Sequence, residues 1–238
     1  MSSSTVVLVH GAFADASGWT GVIERLQEKG YPVLAPANPL RGIGADAAYL
    51  SAVLSTIPGP IVLVGHSYGG AVITNAALGN ENVAGLVYIT AYALDEGEAV
   101  AQANELGGGH TEVTEHLVIR PFPGAAEGDA DAYIDPEHFP RLFAQDLPLP
   151  EAQALAVSQR PGALASLGIP SGSPAWKAIP SWYLVASSDN IIPPEAERFM
   201  AERAGATTVE IESSHVPMIS HVDEVTDLIL AAISSTEV

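Results

Sequence analysis

Short, almost uninterrupted apolar runs alternate with helix-length segments along most of the chain. Residues 5–9, 31–37, 61–64, 83–90, 182–186 and 207–212 read as strands. Runs that are apolar at successive positions fit a parallel sheet covered on both faces. Their alternation with helical segments is the pattern of βαβ units. Helices are predicted from the glycine-containing turn after Val9 to near Lys29-Gly30 and over 45–57, where Pro58-Gly59-Pro60 closes the segment. Others are predicted over 71–78, 194–204 and, as an amphipathic stretch, 222–233.

Residues 92–175 break this rhythm. The stretch is rich in Ala, Pro, Gly and acidic residues, and shows no strand alternation. Helix-compatible pieces occur near 136–147 and 150–159. An excursion at this place is expected to form an inserted helical lid over the C-terminal strand ends, where α/β sheets bind ligands. The predicted organisation is an α/β core of residues 1–91 and 176–238 with a lid of residues 92–175.

Composition narrows the chemistry. A chain of 238 residues suits one α/β domain with room for an insertion, and 47% hydrophobic residues supply a sizeable core. There is no cysteine, which excludes disulfides, thiolate metal sites and cysteine nucleophiles. No leader peptide and no run of about 20 apolar residues is visible, so a soluble cytoplasmic protein is expected. Nine Lys and Arg stand against 28 Asp and Glu, a formal charge of −19. That balance argues against nucleic acid and anionic membranes as partners, and disfavours polyanionic substrates.

The richest motif is Gly65-His66-Ser67-Tyr68-Gly69-Gly70, between the strand at 61–64 and the following helix. A serine between glycines at a strand–turn–helix junction is presented as a nucleophile. Glycines at 65 and 69 let strand end and helix start approach closely. The Tyr68 N–H lies at a helix N-terminus, where free donors and the dipole favour an oxyanion. A serine nucleophile needs a base and an orienting acid. His215, in the loop between the strand at 207–212 and the last helix, has the reach expected of the base. Asp189, at the end of the preceding strand, is the expected acid, ahead of Asp95. In the loop after the first strand, the Ala12 N–H is the expected second oxyanion donor. Phe13, Trp19, Tyr92 and Trp176 are candidate pocket liners. His110 and His116 lack metal-site spacing, the acidic run from Asp129 to Asp135 lacks the glutamate of a calcium loop, and no nucleotide fingerprint occurs.

Taken together, these residues resemble the α/β-hydrolase superfamily across essentially the whole chain. The resemblance is carried by His10-Gly11-Ala12-Phe13 with Trp19, by Gly65 to Gly70, by Asp189-Asn190-Ile191-Ile192-Pro193 and by Ser214-His215. More narrowly, the chain is similar to the small branch that includes plant methyl esterases and hydroxynitrile lyases. The resemblance implies an α/β-hydrolase fold with a mostly parallel six-stranded sheet and helices on both faces. It also implies an esterase-type hydrolase with no metal or other cofactor, and an apolar lid with so few cations points to a small, uncharged or aromatic carboxylic ester as substrate. The expected roles are Ser67 as nucleophile, His215 as base, Asp189 as acid, and Ala12 with Tyr68 as oxyanion donors. Lyases of this branch have a lysine after the histidine and a threonine after the first-strand histidine. Val216 and Gly11 stand there instead, so a lyase is the alternative, beside a small-molecule sensor with slow turnover. The expected partner is a small-molecule substrate, and monomer and homodimer both stay open.

Overall fold

The computed structural model describes residues 4–236. Its strands are β1 (Thr5–Val9), β2 (Val33–Leu34), β3 (Ile61–Ser67), β4 (Val83–Ala91), β5 (Leu117–Arg120), β6 (Asp131–Ile134), β7 (Gly162–Ala163), β8 (Ser181–Ala186) and β9 (Thr207–Ile211). Six of them form one sheet in the order β2-β1-β3-β4-β8-β9, and every neighbouring pair is parallel. Parallel pairing brings the ends of β1, β3, β4 and β8 to one edge of the sheet, where the candidate residues lie.

The apolar runs explain the middle of this sheet. β3 and β8 are buried along their whole length, and Val6 to Leu8 of β1 are fully buried. Each such side chain contributes on the order of 1.5–3 kcal/mol over leaving it in water. The edges differ from the middle. Four of the five residues of β9 are exposed, and its Thr and Glu side chains suit an edge strand. β2 has two residues where seven were expected, because Pro32 and Pro36 bracket it and cannot donate to a ladder.

Helices Thr20–Glu28, Ile43–Leu54, Tyr68–Ala76, Pro194–Arg203 and Val222–Thr236 fall where the pattern predicts. Helix Tyr68–Ala76 starts three residues earlier than expected, directly after Ser67. Among the described residues, no helix is long and apolar enough to cross a membrane.

The excursion between β4 and β8 is not wholly helical, which corrects the sequence expectation. It contains an antiparallel sheet of β5, β6 and β7, together with helices Phe139–Phe143 and Leu149–Val157. These strands have four, four and two residues, too short to produce a readable alternation. The insert is joined to the core by backbone hydrogen bonds. Phe13 N–H donates to Arg160 O at 2.9 Å, and Ala163 N–H donates to Leu40 O at 3.0 Å.

Candidate active site

Ser67 ends β3 with φ 53° and ψ −126°, and helix Tyr68–Ala76 begins at the next residue. This backbone conformation is costly for a residue with a side chain, and such strain persists only where the surroundings enforce it. Here the surroundings are tightly packed backbone. A Cβ on Gly69 would lie 2.4 Å from Val9 O, and one on Gly65 would lie 2.7 Å from Gly69 O. The strand end and helix start therefore meet only if both residues are glycine. Gly11 closes the other side, since a Cβ there would lie 2.6 Å from Ser67 Cβ. Among the described residues, the non-glycine positions with positive φ are Phe13, Leu40, Ser67 and Thr90. Phe13 lies on the loop after β1, Leu40 bonds to the insert, and Thr90 reaches His215, so the strain gathers around one site.

His215 and Asp189 meet as the sequence expects. Asp189 follows β8, and His215 follows β9. The His215 Nδ1–H donates to Asp189 Oδ2 at 2.5 Å, and both side chains are fully buried. The other Asp189 oxygen accepts from the Ile191 and Ile192 N–H groups at 2.6 and 3.1 Å. With one oxygen held by two amides, the second is aimed at the imidazole. Asp95 lies elsewhere, bonded to Lys177 at 2.6 Å. The His215 backbone carbonyl accepts from His66 Nε2–H at 2.8 Å and from Thr90 Oγ1–H at 3.3 Å. His215 is thereby docked against the residue that precedes Ser67, with the two imidazole centroids 4.7 Å apart. Its Nε2 is buried and makes no hydrogen bond among the described residues. Base-to-nucleophile bonds are often long before substrate binds and tighten in the complex.

Ala12, Phe13, Ser67, Tyr68 and Tyr92 share the wall of one cavity of about 280 Å³. Residues of the insert, among them Val100, Asn104, Val113 and Leu117, form much of the rest. No Lys or Arg lines it, and Glu105, Glu115 and His110 do. Tyr92 O–H donates to Asn104 Oδ1 at 2.9 Å, which fixes the orientation of that amide. Two expected liners are elsewhere. Trp19 is fully buried beside a separate cavity of about 40 Å³ with His66 and Phe143. Trp176 is buried, its Nε1–H donates to Leu94 O at 2.9 Å, and Lys177 and Arg203 lie over its ring. An aromatic residue near a motif in sequence is drawn into the core as readily as to a pocket.

Several further groups support the site. His10 accepts Asn38 N–H at Nε2 and donates from Nδ1 to Gly11 O, both at 2.9 Å, which shapes the Ala12 loop. Burial lowers its pKa. His66 is pushed well below the ordinary histidine value by burial and by His215, so it stays a neutral donor to the His215 carbonyl. Asp146, from the insert, accepts from Ser214 N–H at 2.9 Å, Ser220 Oγ–H at 2.8 Å and Ser213 Oγ–H at 3.2 Å, and so braces the loop carrying His215. Burial opposes its ionisation, yet those bonds outweigh it and hold its carboxyl below the usual range. Glu197 is fully buried and accepts Ala186 N–H at 3.1 Å. Burial and the neighbouring Asp189 raise its pKa well above the ordinary carboxylate value. The contacts of His66, Asp146 and Glu197 do not follow from local spacing. The only sequence signal was the presence of charged or imidazole groups inside otherwise apolar surroundings.

Among the described residues, no group of three or more His, Asp or Glu side chains is arranged to hold a metal ion. His116 and His138 stack at 3.9 Å instead of converging on a common point.

The family model described as the alpha/beta hydrolase family matches residues 6–228. The chain is 28% identical over 245 residues to the pyrethroid hydrolase of Sphingobium wenxiniae, covering 92% of this chain and 84% of that protein. It is similar in fold to polyneuridine aldehyde esterase, with a TM-score of 0.82 and 23% identity over 97% of this chain and 99% of that one. A methylesterase from Arabidopsis has a TM-score of 0.76 and 18% identity, covering 98% of this chain and 99% of that one.

Proposed function

Because the chain belongs to the α/β-hydrolase family, we propose that it is a serine hydrolase of small, uncharged carboxylic esters. One observation carries this reading most of the way. A strained serine with φ 53° opens onto a cavity, beside a histidine bonded at 2.5 Å to a buried aspartate. Relatives named as a pyrethroid hydrolase, an aldehyde esterase and a methylesterase support ester cleavage as the chemistry.

In this reading His215 Nε2 takes the Ser67 proton as Oγ attacks the ester carbonyl. The tetrahedral oxyanion lies between the Ala12 and Tyr68 N–H groups. Donors aimed at that developing charge contribute about 3–4 kcal/mol each to the transition state. His215 then protonates the departing alcohol, leaving an acyl group on Ser67. Water, deprotonated by His215, attacks the acyl carbonyl and releases the acid. Asp189 holds the imidazole tautomer and stabilises the imidazolium. A wall without Lys or Arg and with Glu105 and Glu115 favours an uncharged acyl group over a carboxylate. The lyase alternative loses ground, because a threonine in place of Gly11 has no room against Ser67.

The test is hydrolysis of p-nitrophenyl esters of increasing acyl length, without added metal, by wild type and Ser67→Ala. Saturable turnover that disappears in Ser67→Ala supports the reading. Equal activity in both proteins removes Ser67 from the mechanism.

A further inference from the structure

Asp46 sits fully buried in the first turn of helix Ile43–Leu54, and the mechanism above makes no use of it. Its carboxylate accepts the Arg41 N–H at 3.1 Å, the Gly42 N–H at 3.2 Å and the Tyr68 hydroxyl at 2.8 Å. The Tyr68 phenol therefore ends on an acceptor that two backbone amides already hold still. Burial, reinforced by Asp46, raises the phenol pKa and keeps the hydroxyl a donor. Arg41 carries the connection into the insert. Its guanidinium donates to Asp131 Oδ1 on β6 at 2.5 Å and lies 4.3 Å from the centroid of the Phe122 ring. β7 adds a backbone bond to the same loop, from Ala163 N–H to Leu40 O at 3.0 Å.

We propose that Asp46 is a positioning residue for the nucleophile turn: it holds the Tyr68 phenol, and through it the direction of the Tyr68 N–H. The Arg41–Asp131 bond seats the insert's sheet on the same anchor. This inference rests on the acyl-transfer reading, in which the Tyr68 N–H meets the oxyanion. An oxyanion donor is effective only within about 2.7–3.1 Å of the place where charge develops. The glycine packing fixes the path of the turn, and the phenol's bond to Asp46 adds a side-chain tie to the Tyr68 peptide at the first position of its helix. A loosened phenol lets that peptide rock, which costs transition-state binding and spares ground-state binding. The kinetic signature is a fall in kcat with KM preserved.

Tyr68→Phe removes one oxygen and keeps the ring, while Asp131→Asn loosens the far end. Both variants, with wild type and Ser67→Ala, are assayed for kcat, KM and affinity for a trifluoromethyl ketone, whose hemiketal oxyanion occupies the same donors. The expected result for Tyr68→Phe is a kcat about tenfold lower, with a matching loss of ketone affinity. KM stays within about twofold. Asp131→Asn repeats this pattern with a smaller loss. Asp46→Asn, which keeps an acceptor for the hydroxyl, retains more kcat than Asp46→Ala; if Asp46→Ala does not fold, Tyr68→Phe decides alone. Wild-type kcat and ketone affinity in Tyr68→Phe overturn the proposal. So does a loss confined to KM, which makes the hydroxyl a substrate contact. Activity that survives in Ser67→Ala overturns the acyl-transfer reading and this inference with it. Activity that needs Ser67 and ignores the Tyr68 hydroxyl overturns this inference alone.

Discussion

The nucleophile turn and the inserted sheet use glycine for opposite reasons. At Gly65 and Gly69 a Cβ would sit within 2.7 Å of backbone atoms, so the residue is required by close approach. At Gly124 and Gly128 the space is open, but φ is 82° and 84°. There the residue is required by backbone direction alone, in turns between β5 and β6. The first region is over-determined by packing, and it holds Ser67 in a strained conformation. The second is tied to the core by polar contacts, Arg41 to Asp131, Phe13 to Arg160 and Ala163 to Leu40, and by Ile134 and Leu117 packed on the main apolar cluster. In the proposed mechanism the reacting groups sit on the first region, whereas the small sheet contributes Leu117, Ala132, Gly162 and Ala163 to the cavity wall.

The largest effect that sharpens this contrast lies in the rigid half. Asp189→Asn leaves the shape of the site and disturbs the His215 tautomer. A fall in kcat on the order of 10⁴-fold is expected, with the near-ultraviolet circular dichroism unchanged. Next come the glycines. Gly69→Ala forces backbone apart at Val9 O, and a loss of roughly 3 kcal/mol or more in urea unfolding is expected, with activity lost as the turn distorts. Gly128→Ala has room and meets only the positive-φ penalty, about 1 kcal/mol, with kcat nearly intact. Equal losses at the two positions would break the comparison.

A smaller effect concerns Glu197 under the Asp189 turn. Its folded pKa is raised, so the native state keeps a proton that the unfolded chain releases above about pH 4.5. Its contribution to stability is fully present below that pH and declines as pH rises toward the folded value. Glu197→Gln keeps the neutral shape and titrates nothing. Its melting temperature should exceed that of wild type at pH 8, and the gap should close as pH approaches 4; a gap independent of pH would contradict the raised value. The smallest expected effect is kinetic. Trp176→Phe should leave KM within about twofold because its ring lies off the cavity, whereas Tyr92→Phe frees the Asn104 amide and should shift KM.

How legible each part was follows the same division. Ser67 and Asp189 stood out because each ends or follows an apolar strand, and His215 because it lies in the loop between the last strand and the last helix; a strand end fixes where its next residues go. The six-strand core was readable from continuous apolar runs, except where Pro32 and Pro36 cut β2 to two residues. The small sheet was hidden, since four-residue strands such as Asp131–Ile134 carry too little alternation to announce a period. Asp146 and Asp46 look like surface residues in sequence. Their roles arise from partners 68 and 22 positions away, a long-range polar contact that no local pattern encodes. Trp19 and Trp176 show the reverse: considered as pocket liners, both are packed in the core.

The central claim is that Ser67 is the nucleophile, and covalent mapping tests it most directly. Wild type and Ser67→Ala are treated with a fluorophosphonate, digested, and examined by peptide mass spectrometry alongside residual p-nitrophenyl ester turnover. The account predicts one adduct per chain on Ser67, loss of turnover in step with labelling, and no adduct in Ser67→Ala. A wild-type adduct on another residue, or full turnover after Ser67 is labelled, would contradict it.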